Sequence, residues 1–297
     1  MRKKYYPSEL LLQLYNLFLM IFIMVFHHKI ENAALYLVIH VISAIILHSV
    51  NYTKQHFENL YLNFFLILTP VLLFSFYHFE SGMINLVVFP NFFDSLIQKW
   101  DLFFFGKHYH EIWAKRINSN FVAQMIHFCY ASYYVMLVIP AFLLTLKERK
   151  KSTHWQNFIL TRQLVFSITF TMLVCYLIFI LLPVKGPTDY HKVLFPEPTG
   201  IVKIMDFLYA KGDSDGGAFP SSHVAVSFVI LISVFQHLKK IRWPLLVFFI
   251  FLIIGTVYCS YHYLIDLFAG LLTGLFLFIT GKKLFFFLEG SFEKTSS

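Results

Sequence analysis

The chain has 297 residues, of which 58% are hydrophobic and 13% are charged, and it contains 37 phenylalanines. This composition excludes an ordinary soluble domain and indicates a membrane protein. The formal net charge of +8 is explained by the arrangement across a membrane described below, so no nucleic-acid partner is expected.

Eight apolar runs indicate spans, because a helix needs roughly 20 residues to cross a hydrocarbon core. They are 10–26, 33–49, 60–77, 121–146, 163–182, 221–237, 245–258 and 264–280. The chain contains no linker rich in Pro, Gly or Ser and no repeat, which favours one membrane domain over residues 1–297. The predicted fold class is therefore all-α, a polytopic membrane bundle of about eight transmembrane helices.

Lysine and arginine clusters predict the orientation, because cytoplasmic loops keep cationic residues. An even number of spans places both termini and the clusters at 2–4, 147–151, 239–242 and 282–283 in the cytoplasm. In this arrangement 15 Lys/Arg and 5 Asp/Glu lie inside, a net charge of +10, against 9 and 11 outside, a net charge of −2. We expect an integral protein of a bacterial inner or plasma membrane, or its equivalent.

Two long loops are predicted on the outer side. The first, about 80–120, contains aromatic residues suited to the lipid headgroup region. Its His108, His110 and Glu111 could form a metal site, but their spacing fits no zinc signature, so a loop at headgroup level is favoured. The second loop, 183–220, holds five of the ten prolines and five of the twelve glycines and is the favoured location for chemistry.

Cysteines and small residues are interpreted as structural. Cys129, Cys175 and Cys259 lie in or at the end of apolar segments and are predicted to be buried thiols. Gly270 and Gly274 give the last span a small-residue face, which is predicted to pack inside the monomer in preference to a dimer contact. The sequence does not predict the oligomeric state.

Residues 216–227, at the outer mouth of the sixth span, read Gly-Gly-Ala-Phe-Pro-Ser-Ser-His-Val-Ala-Val-Ser. A helix N-terminus presents free amides and the positive end of a dipole, both of which favour a phosphate. Ser221 and Ser222 add hydroxyl donors, and His223 can exchange a proton near neutral pH. Standing alone, the segment is explained equally well by an N-cap followed by an interfacial histidine.

His262 and Asp266 begin the eighth span at the same membrane face. They are four residues apart, so on a helix the carboxylate can reach the imidazole. A carboxylate bonded to one ring nitrogen leaves the other aimed as a nucleophile. Ionisable groups at membrane depth are costly, which favours function over packing.

The segments 220–223 (Pro-Ser-Ser-His) and 262–266 (His-Tyr-Leu-Ile-Asp) resemble the second and third motifs of the type 2 phosphatidic acid phosphatase and vanadium haloperoxidase superfamily. The first motif would then correspond to 182–190. The resemblance covers roughly residues 100–280, which follow N-terminal helices in residues 1–80. It implies a phosphatase-type core of six helices.

Two arginines of the phosphatase motifs are absent. Thr256 stands six residues before His262, and Gly186 and Pro187 stand in place of an Arg-Pro pair. These departures, together with residues 100–106 (Trp-Asp-Leu-Phe-Phe-Phe-Gly), are similar to the branch that contains inositol phosphorylceramide synthase and, more distantly, sphingomyelin synthase.

The resemblance implies that His262 attacks phosphorus, Asp266 holds His262, and His223 protonates the leaving oxygen. Phosphate would be bound by Ser221 and Ser222, with Lys185 or Lys211 replacing the arginines. It implies no metal and no cofactor. The expected function is a lipid phosphatase or phosphotransferase, with hydrolysis of a phosphoric ester favoured, and the expected partners are a lipid phosphate and the bilayer.

Two alternative functions are retained. A headgroup transferase of the inositol phosphorylceramide or sphingomyelin synthase type would use an alcohol in place of water, and the sequence does not distinguish the two acceptors. A secondary transporter would require charged residues within spans and helices broken near the midplane. The acidic residues are predicted to lie at span ends, which disfavours transport.

Overall fold

The computed structural model describes residues 5–57, 59–117, 119–152, 154–212 and 215–293, without the side chains at positions 60, 211, 212 and 291–293. The described residues form thirteen α-helices. They are α1 (Pro7–Phe26), α2 (Ala33–His56), α3 (Leu60–Ile67), α4 (Thr69–Ile84), α5 (Asp94–Phe105), α6 (Tyr109–Arg116), α7 (Asn120–Arg149), α8 (Ile159–Leu181), α9 (Thr188–Leu194), α10 (Gly200–Gly212), α11 (Ser222–His237), α12 (Arg242–Tyr258) and α13 (Leu264–Glu293).

The predicted all-α membrane bundle is confirmed. Six helical segments are long and apolar enough to span a bilayer: Pro7–Lys29, Ala33–His56, Tyr61–Val87, Asn120–Arg149, Ile159–Leu181 and Leu264–Gly290. The sixth and seventh predicted spans are the shorter apolar helices α11 and α12, of 16 and 17 residues. At 1.5 Å per residue each is about 25 Å long, somewhat less than a typical hydrocarbon core.

The third span differs from its predicted bounds of 60–77. It is divided into α3 and α4 at Leu68. Helix α4 begins at Thr69, has Pro70 in its first turn and continues to Ile84. Glu80 therefore lies inside a spanning segment and is fully buried, so the prediction that acidic residues lie only at span ends is wrong here. Its Oε1 lies 2.6 Å from Nε2 of His40.

A buried polar network connects the three N-terminal spans. Nδ1 of His40 on α2 lies 2.6 Å from Oδ1 of Asn16 on α1, and the Asn16 amide donates to the carbonyl of His40 at 2.9 Å. With Glu80 on α4, these residues join α1, α2 and α4 in an apolar interior, where hydrogen bonds between helices replace contact with water.

Helix α8 lies at the centre of the bundle, in contact with α1, α4, α7, α11 and α13. Helices α11 and α13 approach closely, since a Cβ at Gly270 would lie 2.7 Å from the carbonyl oxygen of Ser221 and one at Gly274 would lie 2.6 Å from that of Ala225. The small-residue face of the last span thus packs within the chain, as predicted.

Polar contacts identify one end of the bundle. Arg162, at the beginning of α8, pairs with Glu289 near the end of α13, and its guanidinium lies over the Tyr6 ring just before α1. Lys147, near the end of α7, donates to the carbonyl of His237 at the end of α11. Both ends of the described chain lie here, and the predicted site residues lie at the opposite end.

Candidate functional site

Three loops meet at the end of the bundle away from the termini. Val184, after α8, forms a short parallel bridge with the loop before α11, donating to Gly216 and accepting from Ala218. Gly186 has a φ of +80°, and a Cβ there would lie 2.8 Å from the carbonyl oxygen of Tyr261, just before α13. Glycine permits both this conformation and this contact. The three predicted motifs therefore surround one location.

His262 lies just before α13, which begins at Leu264, so the prediction that it lies on the helix is wrong. The expected proximity is nevertheless present, because Nδ1 of His262 lies 3.3 Å from Oδ2 of Asp266. The same oxygen accepts the backbone N–H of Tyr263 at 2.9 Å, as an acidic residue does in a capping box. Both side chains are buried, and Asp266 thus holds the helix start and the imidazole together.

Ser221 contacts the other side of the imidazole. Its Oγ lies 3.2 Å from Nε2 of His262, and its backbone N–H donates to the carbonyl of Asp266 at 3.1 Å. The hydroxyl makes no capping bond to α11, unlike an ordinary N-cap serine. A carboxylate beside Nδ1 favours the tautomer with the proton on Nδ1, which leaves Nε2 as the acceptor of the Ser221 hydroxyl.

His223 occupies the first turn of α11. Its ring centroid lies 6.3 Å from that of His262, and 4.4 Å and 5.1 Å from those of Tyr133 and Tyr130 on α7. The first-turn amides of α11 have no partner within the helix and point toward its N-terminal end. The structure therefore brings His223, Ser221, His262 and Asp266 together, with Ser222 beside them.

A cavity of about 310 Å³ adjoins His223. Its polar lining consists of Ser75, His78, Tyr133, Tyr134, Tyr176, Tyr209, Ser222 and His223. Its apolar lining consists of Val71, Phe74, Leu137, Met172 and Leu208. Most of these residues belong to α4, α7, α8 and α10, so the cavity extends from His223 into the apolar part of the bundle.

His78 is a cavity residue that the sequence did not single out. It lies on α4, and a Cβ on Gly217, three residues before Pro220, would lie 2.8 Å from its Cε1. Its ring also packs against Tyr176 and Phe179 on α8. A lone histidine in an apolar run gives no local signal of function, so only the packing of α4 reveals this position.

Lys185, a predicted cationic ligand of the phosphate, lies beside two aspartates. Nζ of Lys185 lies 2.8 Å from Oδ2 of Asp189 and 4.0 Å from that of Asp215. Its hydrogen bond with Asp189 raises the pKa of Lys185 and lowers the pKa of Asp189. None of its described contacts is with His223 or His262. The side chain of Lys211 lies outside the described part of the structure.

Helix α5 holds two of these loops through buried or partly buried carboxylates. Asp94 accepts the N–H groups of Lys185 and Gly186 and the hydroxyl of Tyr263, each at 2.9 Å. Asp101 accepts the N–H of Ile265 at 2.9 Å in the first turn of α13. The segment between α4 and α7 was expected to lie along the bilayer surface, and its connection to the His262 loop was not predicted.

Residues 98–280, more than half of the chain, match the family model of the PAP2 superfamily. The chain belongs to the PAP2 superfamily. No curated protein and no solved structure matched it. Membership makes this PAP2 protein an enzyme of the phosphatase type, which transfers phosphoryl groups from phosphoric esters. The inositol phosphorylceramide synthase branch remains a prediction.

Proposed function

We propose that this PAP2 protein is a membrane-embedded lipid phosphatase or phosphotransferase that forms a phosphohistidine on His262. The observation that carries the proposal is the series Ser221, His262 and Asp266, linked at 3.2 and 3.3 Å, with His223 beside it at the cavity. An imidazole held on one side by a carboxylate is the arrangement that nucleophilic catalysis requires.

In the first step, Nε2 of His262 attacks phosphorus, and the bond between phosphorus and the leaving oxygen breaks. Protonated His223 gives its proton to that oxygen, so the product leaves as a neutral alcohol. Asp266 stabilises the positive charge that develops on the His262 ring. The Ser221 hydroxyl and the first-turn amides of α11 donate to the phosphoryl oxygens as their charge grows.

In the second step, an acceptor hydroxyl attacks the phosphohistidine and the phosphorus–nitrogen bond breaks. His223, now neutral, takes the acceptor's proton and returns to its starting state. Water as acceptor gives phosphate or a phosphomonoester, and an alcohol gives a new ester. The two enzymes differ only in this acceptor, and hydrolysis is the activity we expect first.

The cavity supports a lipid substrate. Its apolar lining lies on helices of the membrane bundle, and two of its lining residues, Tyr134 and Leu208, are 47% and 40% exposed. A substrate with an acyl chain could leave the chain among apolar residues while its phosphate reached His223. A soluble phosphate ester would gain nothing from these walls.

A headgroup transferase of the inositol phosphorylceramide or sphingomyelin synthase type is the second candidate. The supporting observation is Thr256, which is fully buried and donates its hydroxyl to the carbonyl of Ile253 in its own helix. It cannot replace the arginine of the phosphatase motif as a phosphate ligand. A secondary transporter gains no support from Glu80, whose carboxylate is hydrogen-bonded to His40 in a link between helices.

The activity test uses detergent-purified protein and a panel of radiolabelled phospholipids, with and without alcohol acceptors. Release of phosphate or a phosphomonoester identifies a hydrolase, and a labelled ester formed only with alcohol identifies a transferase. His262→Ala should abolish both products while the protein still folds, whereas His28→Ala, at an exposed turn, should remain active. Activity of His262→Ala within tenfold of wild type would exclude the phosphohistidine.

We also propose that the termini are cytoplasmic and the site faces outward, from the net charges of +10 and −2 on the two sides. The three native cysteines are buried, so Lys150→Cys provides an exposed thiol near the end of α7. A membrane-impermeant maleimide should label it only after the membrane is opened. Labelling in intact cells would reverse the orientation.

A further inference from the structure

A second cluster of ionisable side chains lies behind the His262 loop. Asp101 at the middle of α5, His108 in the following turn and His110 in α6 each offer one ligand atom, and these atoms lie within 4.8 Å of one another. Nδ1 of His108 is 3.6 Å from Oδ2 of Asp101, longer than a hydrogen bond. The ring centroids of the two histidines are 5.4 Å apart.

The polar atoms of this cluster lack partners among the described residues. Oδ2 of Asp101, Nδ1 of His108 and Nδ1 of His110 are enclosed and make no hydrogen bond. Asp101 is completely buried and His110 is 4% exposed. Buried polar atoms nearly always have a partner, so three unpaired atoms in one cluster favour a common ligand.

We propose that Asp101, His108 and His110 bind one divalent cation of the zinc class. Two imidazoles and a carboxylate are borderline ligands that suit Zn²⁺ and its first-row neighbours better than Mg²⁺ or Ca²⁺. Small side-chain movements would bring the ligand atoms to about 2.0–2.2 Å from the ion. The fourth position would be filled by water, while Glu111, whose Oε1 lies 3.9 Å from Nε2 of His110, would lie near the ring nitrogen that does not bind the ion.

The sequence alone did not support this site because Asp101 lies seven residues before His108 and on a different helix from His110. Considered with Glu111, the two histidines fit no zinc spacing. The return of the chain at Gly106, which has a φ of +72°, brings His108 back against α5. Glycine makes this left-handed turn possible.

The ion would have a structural role and would support the segment that carries His262. The second oxygen of Asp101 accepts the N–H of Ile265, and the carbonyl of His110 accepts the Ser260 hydroxyl at 2.9 Å. The His110 ring also meets Tyr263 edge-on at 5.1 Å. Two of the three ligands therefore contact the segment 260–265 that carries His262. Binding an ion would hold this segment in place without taking part in phosphoryl transfer.

The test measures metal binding by the detergent-purified full chain after treatment with a chelator. Titration with Zn²⁺ should give about one tightly bound ion per chain and raise Tm, and Co²⁺ should give the visible absorption of a low-coordinate site. His108→Ala removes the ligand with the least burial, and it should weaken binding by about tenfold or more. His28→Ala is the matched control and should bind as wild type does.

Asp101→Asn provides a second variant that keeps an oxygen for the N–H of Ile265, so it should fold while binding Zn²⁺ more weakly. His262→Ala, inactive under the proposed mechanism, should retain full metal binding, so the two proposals can fail separately. Two results would overturn the metal site: wild-type protein that binds neither Zn²⁺ nor Co²⁺ stoichiometrically, or ligand variants that bind as tightly as wild type.

Discussion

The carbonyl oxygen of Thr256 accepts a 3.0 Å hydrogen bond from the backbone N–H of His262. Thr256 stands where the resembling phosphatases have an arginine, yet here the position acts through its backbone, because its side chain is bonded inside α12. It helps to hold the predicted nucleophile and leaves the binding of phosphate to other groups.

Ser221→Ala should lower kcat by about 100-fold, the usual loss when one donor to a developing oxyanion is removed. The hydroxyl contacts Nε2 of His262 and does not cap α11, so Tm should change little. Steady-state kinetics and thermal unfolding measure both. Ser49→Ala, which removes an exposed hydroxyl bonded within α2, is the control. An unchanged kcat would remove Ser221 from the mechanism.

Asp266→Asn should lower kcat by roughly 10²- to 10⁴-fold with the fold preserved. The amide oxygen can still accept the N–H of Tyr263 at the start of α13, but it cannot stabilise a charged imidazole. Asp206→Asn is the matched control, because Asp206 also contacts a histidine, His191, at 2.8 Å, and its loss should be far smaller. Equal pH–rate profiles for Asp266→Asn and wild type would contradict the assigned role.

His78→Ala should raise KM by about tenfold, or roughly 1.4 kcal/mol of binding, with kcat within about threefold of wild type. The imidazole lines the cavity beside His223 and is assigned no step in the proposed transfer. His48→Ala, at an exposed position of α2 that does not line the cavity, is the control. A fall in kcat with unchanged KM would instead place His78 in the chemical step.

Lys185→Met should raise KM if this lysine contacts the phosphate, and Lys185→Arg should be tolerated. Asp189 competes for the same ammonium, so Asp189→Asn should lower KM by freeing it. Lys211→Met tests the other predicted cation in the same assay. If no Met variant shifts KM or kcat more than about twofold, near 0.4 kcal/mol, hydroxyls and amides alone bind the phosphate.

The pH dependence of this pair follows from the directions of its pKa shifts. The pKa of Asp189 is lowered, so the ion pair is lost at low pH only when the pH falls through the pKa of Asp189. The pKa of Lys185 is raised, so the pair is lost at high pH only when the pH rises through the pKa of Lys185. The pair therefore persists from about pH 5 to about pH 9. The effect of Asp189→Asn on KM should be constant across this interval.

Local sequence patterns predicted the helical fold and most of the candidate site. Apolar runs and polar breaks are local features, so they located the spans, although the end of α4 was missed because Tyr77 to Ile84 mixes polar and apolar residues. The spacing of His262 and Asp266 predicted their contact, although His262 itself precedes the helix. Here the carboxylate reaches back to the residues before the helix start.

Positions that depend on packing between distant segments could not be predicted. His78 reaches the cavity only because α4 packs against α8, and Asp101 reaches the start of α13 only because α5 lies across it. Nothing in the residues around either position differs from an ordinary membrane or interfacial helix. The contact between Lys185 and Asp189 was likewise not predicted.

The network of Asn16, His40 and Glu80 connects the N-terminal helices to the cavity beside His223. Glu80 is two residues from His78 on α4. The hydrogen bonds that join α4 to α1 and α2 therefore also help to position one wall of the cavity. The superfamily match begins at residue 98, after this wall. The segment that matches the superfamily therefore contains the proposed reacting groups, and under the proposed function the N-terminal helices help to hold one wall of the cavity from which a substrate would reach them.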